Sequence, residues 1–260
     1  MKLKYFIPAF VLLFGILASI FFYYRFDPNL LTKLSFYIEL ANPYVRIVKV
    51  DEGLRKEQIA DVVGDKLNWT NEEKDDFLNN NANIEGHYFP MTYLMDKDAD
   101  PAEVTKTMTS EFSKEVNKLK KPPTMQIINE ETALKIASII QRESGGKKDM
   151  NLISGIIWNR IFDGMKLQID ATLQYAKGNE TDGWWGPVAP DDKNIESFYN
   201  TYLYNGLPPG PISNPGLDAI AAAYNPAKTD CLYYLHDKNR QIHCSNTYSE
   251  HLKEIQIYLK

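Results

Sequence analysis

The chain is poor in the residues from which metal sites are most often built. Its 260 residues include only two cysteines and four histidines, with no CxxC pair and no histidine cluster. Zinc sites need such groupings of thiolate and imidazole ligands. We therefore predict no metal site, and no motif in the chain indicates a cofactor.

An excess of positive charge is also lacking. The 34 acidic residues outnumber the 29 lysines and arginines, and the net charge is −5. Because nucleic-acid-binding proteins normally carry a basic surplus, we expect no nucleic-acid partner. Neutral, sugar-like substrates are not excluded by an acidic balance. The 16 tyrosines and four tryptophans are compatible with stacking on sugar rings, although ordinary packing accounts for most of them.

Charged residues are missing from one long stretch near the N-terminus. Lys2 and Lys4 are followed by an uncharged run from Tyr5 to Tyr24. About 20 residues at 1.5 Å each span a hydrocarbon core of about 30 Å. We predict a cytoplasmic tail and transmembrane anchor over residues 1–25, with the rest of the chain outside the cell membrane. A cleaved signal peptide is the alternative, but no clear small-x-small cleavage site follows the run.

The two cysteines, Cys231 and Cys244, fit an oxidising compartment. They flank two short segments that we predict to be strands joined by a turn at residues 237–240. This arrangement places both cysteine side chains on one face, so a disulfide is compatible with the pattern. Two free thiols remain the alternative.

Repeats and low-complexity tracts are absent, and the patterns that remain predict an α+β fold. A stalk over residues 26–44 leads to a small α/β module over residues 45–122. In this module a strand begins at Val45, two helices follow with Thr70 as an N-cap, and another helix covers residues 101–119.

Paired prolines near residue 122 separate this module from a helix-rich domain over residues 123–260. We predict a first helix capped by Asn129 and a second that runs from an Asp149 cap to Gly164. A loop rich in proline and glycine, an alanine-rich helix, the cysteine-flanked hairpin and a final helix follow.

One acidic residue interrupts an apolar helical pattern. Ala133, Ile136, Ile140 and Glu143 share one helix face, whereas Lys135, Ser138 and Arg142 face the other way. A carboxyl group on an apolar face loses hydration, which raises its pKa and favours the protonated form. A protonated glutamate can donate a proton to a glycosidic oxygen. The alternative is a frayed helix end that leaves Glu143 in solvent.

Two further segments carry candidate polar groups. Gln168 and Asp170 follow a helix stop, and alternation along a short strand would point both to one side, beside Thr172. The segment from Tyr199 to Tyr202 concentrates hydrogen-bonding groups, and the rigid loop after it has the proline and glycine content often seen at the edge of a site.

Three motifs together resemble a known family. The segments "ASIIQRES", "NRIFDGMKLQIDATLQYA" and "YNTYLYNGLPPGPISNPG" occur in the order found in YceG-like (MltG) endolytic murein transglycosylases. The earlier "IEGHYFPMTYLM" is similar to another element of that family. The resemblance covers about residues 45–260, and the last string is long enough to be highly specific.

The resemblance implies a single-pass bacterial membrane protein whose extracytoplasmic domain acts in cell wall elongation or division. Its substrate would be the bond between N-acetylmuramic acid and N-acetylglucosamine in peptidoglycan strands, and its product a 1,6-anhydro end. Penicillin-binding wall synthases would be candidate partners.

The family motifs also imply roles for individual residues. The catalytic acid maps to Glu143, and the substrate-binding residues to Gln168, Asp170, Tyr199, Asn200 and Thr201. A looser similarity to soluble lytic transglycosylases adds Ser144.

The chain departs from the family pattern in three respects. Gln141 and Met91 stand where relatives carry acidic residues, and the LysM-like part is reduced to one unit around residues 45–80.

Two other functions stay open. A hydrolytic muramidase would need a second carboxylate, for which Asp170 is the candidate. A peptidoglycan-binding scaffold without catalysis would need neither acid.

Overall fold

The computed structural model describes residues 41–79, 84–120 and 128–260, together with Leu34, Tyr37, Ile38 and Pro122. The predicted anchor lies outside the described residues, as does most of the predicted stalk. Within the described ranges, no helix is long and apolar enough to cross a membrane.

Among the elements whose bounds lie within the described residues, eight α-helices and two small antiparallel sheets confirm the predicted α+β class. In chain order the elements are β1 (Val45–Lys49), α1 (Lys56–Leu67), α2 (Asn71–Asn79), β2 (Thr92–Asp96), α3 (Pro101–Val116), α4 (Glu130–Glu143), α5 (Met150–Phe162), α6 (Asp170–Lys177), a 3₁₀ helix (Pro190–Asn194), α7 (Leu217–Tyr224), β3 (Tyr233–His236), β4 (Ile242–Ser245) and α8 (Tyr248–Tyr258).

The N-terminal unit, from β1 to α3, packs helices on a two-stranded sheet. β2 pairs antiparallel with β1, a partner that the sequence analysis did not predict. The predicted N-cap is confirmed, since the Thr70 hydroxyl accepts a hydrogen bond from the backbone N–H of Glu73 at 3.2 Å. The predicted helix over residues 101–119 ends earlier, at Val116.

The C-terminal unit, from α4 to α8, is organised around α4. Ala133, Ile136 and Ile140 of that helix are almost completely buried against α5 and α7. The Asn129 side chain accepts a hydrogen bond from the backbone N–H of Thr132 at 2.7 Å, which confirms the predicted cap.

Two side chains in this unit make contacts that the sequence did not predict. Asp149 occupies the predicted cap position before α5, but its side chain makes no capping hydrogen bond, and its carboxylate lies 3.3 Å from His236. Ser138 is fully buried, and its hydroxyl accepts a hydrogen bond from the backbone N–H of Ile212 at 3.0 Å.

The two units have separate hydrophobic cores that meet along α3. Val104 and Met108 belong to the first core, whereas Phe112 and Val116, two turns further on, belong to the second. A domain boundary at residue 122 stays a prediction.

A buried polar junction also joins the units. Asn214, fully buried in the proline-rich loop, donates to the Glu85 carboxyl at 2.6 Å, and its backbone N–H donates to the Leu54 carbonyl at 2.8 Å. The backbone N–H of Lys56, at the start of α1, donates to the same carboxyl at 3.2 Å. Burial raises the pKa of Glu85 to about 7. The loop therefore ties the C-terminal unit to the first turn of α1.

The predicted hairpin is confirmed as β3 and β4, with Tyr234 opposite Cys244. A disulfide joins Cys231 to Cys244, with 5.8 Å between the two Cα atoms, so the alternative of two free thiols is not what the structure shows. Helix α8 packs against both strands.

Candidate active site

Glu143 is the last residue of α4, so the helix does not fray before it. The backbone N–H of Ser144 still donates to the Ile140 carbonyl at 2.9 Å. Because Glu143 continues the buried stripe of Ile136 and Ile140, its side chain leaves the core at the wall of a cavity. The alternative in which Glu143 lies in bulk solvent is therefore wrong.

The Glu143 carboxyl group has two hydrogen-bond donors. The Tyr234 hydroxyl donates to Oε2 at 2.6 Å, and the backbone N–H of Ala171 is a second donor. Burial raises the pKa of Glu143 above its ordinary value of 4.5, and the charge of Asp170 acts in the same direction. The two donors and His236 oppose this rise. Burial is the largest of these effects, so the neutral acid is favoured.

The cavity beside Glu143 has a volume of about 470 Å³ and a mostly polar wall. One side is formed by the hairpin and α8, the other by the segment that leads into α6 and by the 3₁₀ helix. Besides Glu143, its lining comprises Arg160, Leu167, Gln168, Ile169, Asp170, Lys193, Tyr202, Tyr233, Tyr234, Leu235, His236, Tyr248 and His251. Carboxyl, hydroxyl, amide and cationic groups therefore converge on one space, as in sites that orient polar ligands.

Gln168 and Asp170 both line this cavity, as the predicted alternation required, but the strand prediction is wrong. Residues 165–169 form no strand, Gln168 has a left-handed φ of 53°, and Asp170 begins α6. Leu167 and Ile169, which alternate with this exposed pair along the chain, are buried. The Asp170 carboxylate accepts a hydrogen bond from the Tyr202 hydroxyl at 2.6 Å.

The structure does not bring Tyr199, Asn200 and Thr201 to the cavity wall. Tyr199 packs on Tyr175, with 4.7 Å between ring centroids. Asn200 is fully buried and donates to the carbonyls of Lys193 and Ile195, at 3.1 and 2.8 Å. These contacts hold the 3₁₀ helix in place.

Thr201 is buried and fixes the segment that carries Gln168 and Asp170. Its hydroxyl accepts a hydrogen bond from the Ile169 N–H at 3.0 Å and lies 2.9 Å from the Thr172 hydroxyl. Its carbonyl accepts a hydrogen bond from the Gln168 N–H at 3.1 Å. Thr172 is therefore a buried partner of Thr201, not a third group beside the exposed pair. Thr201 therefore supports the cavity wall without being part of its lining.

The model of the YceG-like family matches residues 23–257, which is most of the chain. The chain belongs to the YceG-like family. The family prediction made from the motifs is thus confirmed.

Curated relatives from two species carry the name endolytic murein transglycosylase. The Bacillus subtilis (strain 168) protein is 31% identical over 244 residues, covering 84% of this chain and 67% of the relative. A Streptococcus pneumoniae protein is 30% identical over 176 residues, covering 66% of this chain but only 32% of the relative. This YceG-like chain therefore aligns with about a third of the pneumococcal protein.

A solved structure shares the fold. The crystal structure of a YceG-like protein from Listeria monocytogenes superimposes with a TM-score of 0.72 at 29% identity, over 80% of this chain and 75% of that one. The fold described above is therefore that of a solved family member.

Three features of the motifs in this YceG-like chain lie outside the lining of the Glu143 cavity. The Gln141 side chain accepts a hydrogen bond from the backbone N–H of Gly216 at 2.9 Å. Residues 211–216 of the proline-rich loop are buried and join the two units. They do not line the cavity, although the composition of the loop suggested that they would. Ser144 follows α4 and is also absent from the cavity lining.

Sequence reasoning missed the groups that the hairpin supplies. Tyr234 and His236 lie on β3 and reach the cavity, and Arg160 enters it from α5. Arg160 donates to the carbonyls of Leu167 and Leu232, at 2.7 and 2.6 Å, and so joins the two walls. The predicted hairpin carried a usable signal, because alternation along β3 places Tyr234 and His236 on one face.

Proposed function

We propose that this YceG-like chain is an endolytic peptidoglycan transglycosylase. It would cleave the bond between N-acetylmuramic acid and N-acetylglucosamine within glycan strands and leave a 1,6-anhydro end. The observation that carries the proposal is the Glu143 carboxyl, which lies at a cavity wall with a raised pKa and a tyrosine donor. The names of the curated relatives support the same reaction.

In the first step, neutral Glu143 donates its proton to the glycosidic oxygen as the bond to C1 of the muramoyl residue breaks. The leaving sugar departs with a new hydroxyl group, and Glu143 becomes a carboxylate. Burial favours the acid at the start of this step. The Tyr234 hydroxyl and the Ala171 N–H then stabilise the carboxylate that forms.

In the second step, the Glu143 carboxylate accepts the proton of the C6 hydroxyl, whose oxygen forms a bond to C1. The anhydro ring closes, the carboxyl group is neutral again, and no water is consumed. One acid is therefore sufficient for the reaction. Asp170, held by Tyr202, supplies negative charge in the cavity for the oxocarbenium-like transition state, and Gln168 supplies an amide that can orient the sugar.

The Glu143→Gln variant should lose activity by about a hundredfold or more, because general acid–base catalysis typically contributes 10²–10⁴-fold. The measurement is release of soluble fragments from purified peptidoglycan, with mass spectrometry of the ends. Wild-type protein should produce ends lighter by one water than hydrolysed ends. Glu130→Gln, an exposed change at the other end of the same helix, is the matched control and should digest normally. Normal digestion by Glu143→Gln would exclude the mechanism.

A hydrolytic muramidase is the second candidate, because Asp170 lines the same cavity as Glu143. A hydrolase would use this second carboxylate as a nucleophile or as a base for water. The same mass measurement separates the two reactions, since hydrolysed ends retain the added water. Failure of wild-type protein to release any fragment would instead favour the scaffold without catalysis.

Replacing Tyr234 with Phe should move the alkaline limb of the kcat/KM profile to higher pH. The Tyr234 hydroxyl lowers the pKa of Glu143, so its loss raises that pKa and the acid stays protonated at higher pH. The maximal rate should fall, because the carboxylate formed in the first step loses a donor. Tyr204→Phe, an exposed change outside the cavity lining, should leave the limb in place. A limb that stays fixed or moves to lower pH in Tyr234→Phe contradicts this role.

We further propose that residues 1–25 anchor the protein in the bacterial cell membrane, with the stalk and both units outside. The uncharged run after Lys2 and Lys4 supports the anchor, and the Cys231–Cys244 disulfide supports an oxidising compartment. The full chain should then fractionate with membranes, and a variant without residues 1–25 should not. Recovery of both proteins in the same fraction would exclude the anchor.

Penicillin-binding wall synthases are proposed as partners and the unit around residues 45–80 as LysM-like. Cross-linking in cells followed by mass spectrometry tests the first proposal. The second is tested by measuring how strongly the full chain, with and without substitutions in this unit, binds to purified peptidoglycan.

A further inference from the structure

Three aromatic rings lie at the hairpin end of the Glu143 cavity. Tyr233 comes from β3, and Tyr248 and His251 come from α8. The His251 ring stacks on Tyr233 at a centroid distance of 5.5 Å, with 24° between the ring planes. Tyr248 lies 5.8 Å from Tyr233 and 6.4 Å from His251. All three residues line the cavity, so the cluster is part of its wall.

Tyr248 is held at this position although it is exposed. It is the first residue of α8, where the Thr247 hydroxyl accepts a hydrogen bond from the Glu250 N–H and the Glu250 carboxylate accepts one from the Thr247 N–H. This capping box fixes where the helix begins. Even so, 59% of Tyr248 is accessible. Core packing therefore does not account for a tyrosine at this point.

Arg160 fixes the position of Tyr233. The Arg160 guanidinium lies 5.1 Å from the centre of its ring and is itself held by the carbonyls of Leu232 and Leu167. A ring that is positioned in advance loses little conformational entropy when a ligand packs against it. The cluster thus offers an immobilised aromatic surface beside the proposed catalytic acid.

We propose that Tyr248, with Tyr233 and His251, forms a subsite that binds one N-acetylhexosamine ring of the glycan strand next to the scissile bond. This inference rests on the proposed function. The C–H groups on the face of a sugar ring carry partial positive charge and pack against the negative face of an aromatic ring. An enzyme that cleaves within strands must hold sugars on both sides of the bond. The aromatic end and the Gln168–Asp170 end of the cavity provide two such sides.

The test measures binding separately from catalysis. Calorimetry would follow binding of a chitooligosaccharide, a polymer of N-acetylglucosamine, to the full chain carrying Glu143→Gln. Adding Tyr248→Ala should raise the dissociation constant about tenfold, the change expected when one such aromatic contact is lost. Tyr248→Phe retains the ring and should bind like the parent. Tyr44→Ala, a similarly exposed change at the residue before β1, should have no effect.

Unfolding temperatures of the variants would show that α8 still packs, and Tyr248→Leu adds a check because it keeps apolar contact without a flat ring. Tyr248→Leu should bind as weakly as Tyr248→Ala. Equal binding by Tyr248→Ala and the parent, restored binding in Tyr248→Leu, or no binding by the parent would overturn the subsite. If wild-type protein fails to digest peptidoglycan while binding still depends on Tyr248, the catalytic proposal fails and the subsite stands.

Discussion

The contact between the Glu143 carboxyl and the Tyr234 hydroxyl is the interaction on which the proposed chemistry depends. A buried carboxyl group without a donor would be costly to ionise, and one in water would already be ionised near neutral pH. Glu143 lies between these limits, since burial raises its pKa while Tyr234 and the Ala171 N–H oppose the rise. A group in this condition can release a proton and later accept one.

Much of the surrounding structure fixes the positions of the two walls of this cavity relative to each other. The disulfide and α8 support the hairpin that carries Tyr234. Thr201 and Arg160 both hold the Gln168–Asp170 segment, through hydrogen bonds to the backbone of Ile169 and Leu167. The junction at Asn214 joins the C-terminal unit to the N-terminal one through a buried carboxyl, Glu85, whose pKa is also raised. Residues far from the reacting atoms therefore determine how accurately the polar groups meet.

The sequence predicted the parts of the site that depend on local periodicity. The spacing of Ala133, Ile136 and Ile140 placed Glu143 on the buried face, and the structure has it there. Gln168 and Asp170 do share one side, but a left-handed residue and a helix start produce that outcome, not a strand. The family membership followed from long motifs. The substrate-binding roles of Asn200 and Thr201 stay predictions, and in the structure both side chains satisfy backbone groups from buried positions. Tyr234 was missed because its contact with Glu143 joins residues 91 positions apart, which no local pattern encodes.

The most direct test of this account is the protonation state of Glu143 itself. Carbon NMR titration of protein labelled at the glutamate carboxyls, compared with the Glu143→Gln variant, identifies the one resonance that the variant lacks. We expect that resonance to titrate above the ordinary glutamate value of 4.5, because burial disfavours the carboxylate. A midpoint at or below 4.5 would mean that Glu143 is ionised near neutral pH, and it would contradict its role as the acid.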